Sequence, residues 1–190
     1  MRPVITPFIA TFRSVVLCVL ALGASTLSVL AQANERLIAP VPKGYNAGVE
    51  QPAPIGTTRH MVPARETLDN WTESVAVQTY PGLGDIKPAE FQSGIDRVFT
   101  QYCPGLTSSK VKEGLESGYP TLIWLMQCAR HPRTGKPENI WTKAIQGRDG
   151  LYVVQAAYRY EVAAAARDEL LRYLDSVTVC DTRLPDRPCR

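Results

Sequence analysis

The sequence predicts an α+β fold in which a mostly antiparallel sheet is covered by helices. Three observations carry this reading. Residues Asn139–Tyr160 form two strand-like runs joined at Gly147-Arg148-Asp149-Gly150, where Asp149-Gly150 tolerates positive φ and marks a hairpin. Beyond that turn Leu151, Val153 and Ala157 fall on one face, and Tyr152, Val154, Ala156, Tyr158 and Tyr160 on the other, because strand side chains alternate with period two. A strand apolar on both faces belongs inside a sheet covered on both sides. Two further segments, one before the strands and one after, carry apolar residues at helical spacing. The order is β-α-β-β-β-α after an irregular N-terminal lead-in, with hairpin connections late in the chain, and it selects a layered sheet-and-helix structure.

The first 33 residues do not count toward that fold. Arg2 and Arg13 precede an apolar run from Val15 to Leu30, no acidic residue occurs before Glu35, and Ala31-Gln32-Ala33 has the small-x-small form of a signal-peptidase site. Residues 1–33 therefore read as a signal peptide. An uncleaved anchor competes with this, but the run is 16 residues long and is interrupted by Gly23, Ser25, Thr26 and Ser28. That is short of the roughly 20 apolar residues that span a bilayer core. Cys18 follows Leu17 inside the apolar run and lacks the context of a lipidation site. Cleavage leaves 157 residues with a charge of +1 in place of the whole chain's +3. That length can bury a sizeable core, and the charge offers no clustered basic face to nucleic acid.

Asn34–Asn70 is dense in turn formers, among them Pro40, Pro42, Gly44, Pro52, Gly56 and Pro63. Residues 34–70 read as an irregular lead-in with short extended pieces near Tyr45–Val49 and Thr57–Val62. A single α+β domain follows over 71–190. Its first strand, Trp71–Tyr80, is stopped by Pro81-Gly82. A helix runs from Pro88, which suits the first helical position, to about Tyr102; Glu90 lies in its positive first turn. Phe91, Ile95, Val98, Phe99 and Tyr102 form its apolar stripe. Leu106–Gly118 is mostly polar and reads as a loop or a short helical turn. Thr121–Cys128 is a strand whose apolar run, Leu122 to Met126, is too short for a core helix. A polar connection, His131–Pro137, leads into the hairpin. The last helix, about Val162–Ser176, carries Ala163, Ala166, Leu170, Leu174 and Val177 on one stripe, and the short tail Cys180–Arg190 is pinned.

Four cysteines remain after cleavage: Cys103, Cys128, Cys180 and Cys189. An even number in an exported chain reads as two disulfides, with three connectivities open. Cys103 ends the first helix and Cys128 the strand of the sheet on which that helix packs. Cys180 and Cys189 flank a short proline-containing stretch. The expected pairs are therefore Cys103–Cys128 and Cys180–Cys189. Zinc is the weaker reading, since there is no CxxC pair and the mature chain holds two histidines, His60 and His131.

The sequence offers few groups arranged for chemistry. There is no GxSxG elbow, and Gly82-Leu83-Gly84 lacks the third glycine of a phosphate cradle. A hydrolytic site would have to use His60 or His131, both in polar, proline-flanked stretches typical of solvated histidines. Glu90, Asp96, Glu113, Glu116, Asp168 and Glu169 read as exposed charges, without the apolar surroundings that tune a general acid. The polar residues inside strong strands stand out more. Gln127, Gln155 and Arg159 interrupt apolar patterns, and buried polar groups must find partners, so these three are the candidate binding residues. Trp71, Trp124 and Trp141 are read as packing residues.

Several short motifs together carry a likeness: Asn70-Trp71-Thr72-Glu73 with Val77-Gln78, Cys103-Pro104-Gly105, Lys143-Ala144-Ile145-Gln146-Gly147 with Tyr152–Ala157, and Val179-Cys180-Asp181 with Cys189. They resemble a group of uncharacterised proteobacterial exported proteins, a resemblance that covers most of the mature chain and brings no activity with it. The element order is also similar to PsbP-like α+β sandwiches, which implies a binding or accessory role. The expected protein is periplasmic or secreted and non-enzymatic, binding an envelope or secreted protein. It has no cofactor, no nucleic-acid partner and no membrane span once the signal is gone. The alternative is a small secreted hydrolase using His60 or His131 with a carboxylate. Sequencing the N-terminus of the native protein should find Asn34 first; a membrane-bound chain beginning at Met1 would contradict the signal reading.

Overall fold

The computed structural model, which describes Asn34–Cys189, runs β1 (Glu35–Ile38), β2 (Glu50–Pro52), β3 (Thr57–Met61), β4 (Glu73–Pro81), α1 (Pro88–Tyr102), β5 (Thr107–Glu116), β6 (Tyr119–Cys128), β7 (Glu138–Gln146), β8 (Gly150–Tyr158), α2 (Ala164–Ser176) and β9 (Thr178–Asp181). The signal peptide expected at 1–33 lies outside the described residues. Seven strands form one sheet in the order β2-β3-β4-β8-β7-β6-β5, and β1 pairs with β9 in a small second sheet. Every pairing is antiparallel. The α+β class, a mostly antiparallel sheet covered by helices, is therefore the observed one. No helix among the described residues is long and apolar enough to cross a membrane.

The sheet is apolar on both faces, and the two faces are covered differently. One carries Leu122, Trp124, Met126, Ile140, Ala144, Leu151 and Val153, with Phe91, Ile95 and Phe99 of α1 on top. The other carries Ile123, Trp141, Ile145, Tyr152, Val154 and Ala156, covered by Leu170 and Leu174 of α2 and by Val179 of β9. Each fully buried Leu, Ile, Val or Met among them contributes about 1.5–3 kcal/mol of transfer free energy. The alternation along β8 is thus real, with Leu151 and Val153 facing one layer and Tyr152 and Val154 the other. Cys103 is bonded to Cys128, tying the end of α1 to the end of β6. Cys180 is bonded to Cys189, closing the C-terminal loop. On the chain-entropy account, closures of these lengths contribute about 2.5–3.5 kcal/mol each.

The order of elements departs from expectation in two places. Residues 107–116, read as loop or helical turn, are strand β5 at the sheet edge, exposed along nearly its whole length. An edge strand with little apolar cover has no period-two signal; its lysines and a bulge between Lys110 and Lys112 are devices that discourage further pairing. The turn that folds it back on β6 did leave a signal, because Ser117 and Gly118 both take positive φ (51° and 76°), as a two-residue hairpin loop requires. The second departure is β9, four residues that pair with β1. The stretch 34–70 also supplies β2 and β3 to the main sheet, with Arg59 opposite Val77. Val98 and Tyr102, counted by spacing in the apolar stripe of α1, are 47% and 56% exposed. Ala163 and Ala166 likewise stay exposed at the start of α2.

The Gly147–Gly150 turn works by a different device from the one its sequence suggests. Neither Asp149 nor Gly150 takes positive φ. The glycine at 147 is needed for space: a Cβ there would sit 2.4 Å from Glu35 Oε2 and 2.6 Å from the Tyr152 ring. Glu35, the first residue of β1, is buried against this turn. One carboxylate oxygen accepts from the Arg148 amide (2.8 Å) and the Tyr119 hydroxyl (2.7 Å). The other accepts from the Asp149 amide (2.8 Å) and the Tyr152 hydroxyl (3.3 Å). Arg183 lies 3.5 Å from the same carboxylate and closes on Asp181, which is fully buried. On the same side of the sheet, Lys143 of β7 is fully buried and donates to the Leu174 and Val177 carbonyls at 2.8 and 2.9 Å, as well as to Glu116. The Leu174 carbonyl also accepts the Val177 amide at 3.2 Å, so Lys143 adds a second donor there and supplies one to the Val177 carbonyl, placing its positive charge at the C-terminal end of α2. Burial pulls its ammonium pKa down, an effect that Glu116 opposes.

The Arg183 guanidinium and backbone amide hold the Asp181 carboxyl at about 2, below its ordinary 3.8. A carboxyl depressed in the folded state stabilises the fold above its unfolded pKa and loses that contribution as pH falls toward the folded value. Asp181→Asn should lower Tm at neutral pH yet flatten its fall between about pH 4 and about pH 2 relative to wild type, as read by calorimetry. Parallel curves would contradict this coupling.

Candidate functional site

A helix is about 10 Å across and strands are about 4.8 Å apart, so one helix covers roughly two strands. On its face of the sheet α1 packs chiefly over β6 and β7. The ends of β4 and β8, and β3 beside the short edge strand β2, are left without a helical cover. The register sets His60, Ala76, Gln155 and Thr142 in one cross-strand row there, with Ser74, Ala157 and Ile140 in the next.

These rows, apart from the fully buried Thr142, floor an open hollow of about 340 Å³ walled by Leu68, Trp71 and Phe99. A second hollow of about 230 Å³ adjoins it under the C-terminal end of α1, lined by Tyr102, Leu106 and Met126. A third, of about 380 Å³, lies between Trp71 and the His131–Thr134 turn. Glu138 lines all three, and Phe99 and Ile140 line the first two. The result is a groove whose floor is mixed at the first hollow, with Ser74 and Gln155 among Ala76, Ala157 and Ile140, and apolar at the second, with a rim bearing both signs of charge.

The polar groups on the rim are mostly committed to structure. Arg159 lies flat on Trp71, its guanidinium carbon 3.7 Å from the ring centroid, and donates to the Trp71 carbonyl at 3.0 Å. It clamps the start of β4 to the end of β8, and the stacked pair forms one wall of the groove. His131 accepts the Arg133 amide at 3.3 Å through Nδ1 and so belongs to its own turn. His60 is exposed, with Thr58 Oγ1 at 3.4 Å from its Nε2. Among the described residues neither histidine is hydrogen-bonded to a carboxylate, the partner that would orient a catalytic imidazole. No cluster of three or more His, Cys, Asp or Glu suited to a metal occurs among them either. Under α1 the polar row runs on to Trp124, directly opposite Thr142, and Trp124 Nε1 and Thr142 Oγ1 are buried without hydrogen-bond partners.

Of the residues singled out by sequence, Gln155 lies on the groove floor and Arg159 in its wall. Gln127 is on the other face of the sheet, exposed, its Nε2 3.3 Å from Asn139 Oδ1. His60 and His131 stand at separate hollows of the groove, each beside Glu138 among the lining residues. Sequence reasoning missed Leu68, Trp71 as a lining residue, and Glu138. The isolated Leu68 in the polar run Thr67–Asn70 was the available signal, since an apolar side chain with no periodic partners has no core to join.

No protein-family model and no curated protein matches this chain. Among solved structures it is similar to LpqN of Mycobacterium tuberculosis, described as involved in cell envelope biogenesis, with 16% identity over 76% of this chain and 83% of that one and a TM-score of 0.49. It is also similar to a Mog1 mutant (13% identity, 74% and 85% covered, TM-score 0.44). A third similar structure is the cyanobacterial PsbP of Synechocystis (11% identity, 83% and 98% covered, TM-score 0.42).

Proposed function

We propose that the protein is an exported, non-enzymatic binding module whose α1-side groove receives an apolar segment of an envelope or secreted polypeptide. The observation that carries this is the pair of large apolar side chains at the groove, Leu68 and Tyr102, which are 55% and 56% exposed beside a floor that includes Ala76, Ala157, Ile140 and Met126. Apolar surface of this kind, rimmed by Glu138, Arg133 and Arg159, has the anatomy of a protein interface: an apolar centre and a charged rim. The groove is open along its length. An acyl chain lying in it would stay wet on one side, whereas small-ligand sites bury most of their ligand; a polypeptide brings its own cover. Export is supported by the N-terminal apolar run and by the two disulfides, which persist in oxidising compartments. The hydrolase alternative needs a carboxylate to orient His60 or His131, and the binding reading needs neither.

A photocrosslinking amino acid placed at Leu68 or Tyr102 should give an adduct with the same envelope polypeptide, while one at Leu115, 73% exposed on the distant edge strand β5, should not. The double variant His60→Ala/His131→Ala should keep the adduct. Equal crosslinking from all three positions, or none from the groove, would contradict the assignment. Loss of biological activity in the double variant with Tm preserved would favour the hydrolase.

A further inference from the structure

On the opposite face of the sheet, beside α2, four tyrosines line one pocket together with the carboxylates of Glu73 and Glu169. Glu73 opens β4 and stands directly opposite Tyr158 at the end of β8. Tyr160 follows two residues later on the same face. Tyr45 arrives from the segment between β1 and β2, and Tyr173 from α2. The phenols of Tyr45 and Tyr160 each donate to a different oxygen of Glu73, and the rings of Tyr158 and Tyr160 meet edge to face with centroids 5.6 Å apart. Together they wall a pocket of about 550 Å³.

The charge balance of this box is unusual. Among the described residues no lysine, arginine or histidine lies within ion-pair distance of Glu73; its two hydrogen-bond donors are neutral phenols. Burial, reinforced by the Glu73 carboxylate, pushes the pKa of both phenols up, so they stay protonated and keep donating. The pocket therefore presents the Glu73 carboxylate, fixed by two phenols, with Glu169 also on its lining, together with tyrosine rings. Ring faces attract cations electrostatically, most strongly where the cation is stripped of water. A compact primary ammonium gives up its hydration reluctantly. A quaternary ammonium is diffuse, weakly hydrated and has no N–H to place, so it needs charge and aromatic surface but no further acceptors. Those are the resources this pocket still has, because the Tyr45 and Tyr160 hydroxyl hydrogens are already spent on Glu73 and that of Tyr173 on the Pro40 carbonyl.

We propose that the Glu73–tyrosine box is a second binding site, independent of the groove, that takes a quaternary ammonium group of the choline type. Lys43 and Arg172 stand on its rim and can meet an anionic substituent of the same molecule, so the group can come from a free small molecule or from a lipid headgroup.

The test is calorimetric titration of the mature protein with choline and with its uncharged tert-butyl isostere, which has the same shape without the charge. Choline should bind saturably and the isostere about tenfold more weakly or not at all. Glu73→Gln, which keeps an acceptor for the phenols, should weaken choline binding by about tenfold; Tyr158→Leu should weaken it as well, so the test survives a folding defect in either variant. Binding to phosphatidylcholine vesicles in addition would assign a lipid headgroup, and choline binding without vesicle binding a free ligand; both support the site. Absence of choline binding to wild type, equal binding of the uncharged isostere, or unchanged binding in folded Glu73→Gln overturns it.

Discussion

The carboxylate of Glu35 joins three parts of the chain that are far apart in sequence. It accepts both amides at the tip of the β7–β8 turn, the hydroxyls of Tyr119 and Tyr152, and the approach of Arg183. A buried carboxylate is tolerated only when its lone pairs are filled, and two donors on each oxygen fill them. The turn in exchange receives what its own sequence does not supply: with no positive-φ residue at Asp149 or Gly150, its amides are held by a side chain more than a hundred residues away. Once Glu35 is seated, β1 is placed, β9 pairs with β1, and the Cys180–Cys189 loop carrying Asp181 and Arg183 closes over the site.

The functional layout follows from how the two faces are covered. The α2 side has two covers, the helix and the β1–β9 ribbon, with Lys143 tying the helix end to the sheet. The other side has α1 alone, fastened at its end by Cys103–Cys128. One helix cannot cover seven strands, and the uncovered remainder is the groove. The tyrosine box arises at the opposite end of the same logic. There the N-terminal part of α2, beyond its buried Leu170, stands away from the ends of β4 and β8, leaving room that Tyr45 and Tyr160 line without filling.

Much of the scaffold was legible because burial writes a periodic signal. The helix from Pro88 to Tyr102 has the bounds its proline and apolar spacing imply, and the inner strands β6, β7 and β8 are the apolar runs read as strands. What was illegible has physical causes. The edge strand β5 is held by backbone pairing with β6 and buries too little to show a pattern. The ribbon strands β1 and β9 are four residues each. Glu35 and Asp181 passed as unremarkable charges, because the donors that make their burial possible come from Tyr119, Tyr152, Arg148 and Arg183, and no local rule connects those positions. The binding candidates divided for a similar reason. Period-two alternation along β8 brings Gln155 to the groove side, but in β6 the same alternation puts Gln127 on the opposite face from Trp124 and Met126.

The amides of Arg148 and Asp149 report on this central constraint directly. They sit at a surface turn, where backbone N–H groups ordinarily exchange with solvent almost freely. Native-state hydrogen exchange should find both protected to the level of the β1–β9 ribbon, opening only when Glu35 leaves its seat. Exchange at the rate of an open turn, with the ribbon still protected, would show that the carboxylate does not hold the hairpin and that the fold is organised elsewhere.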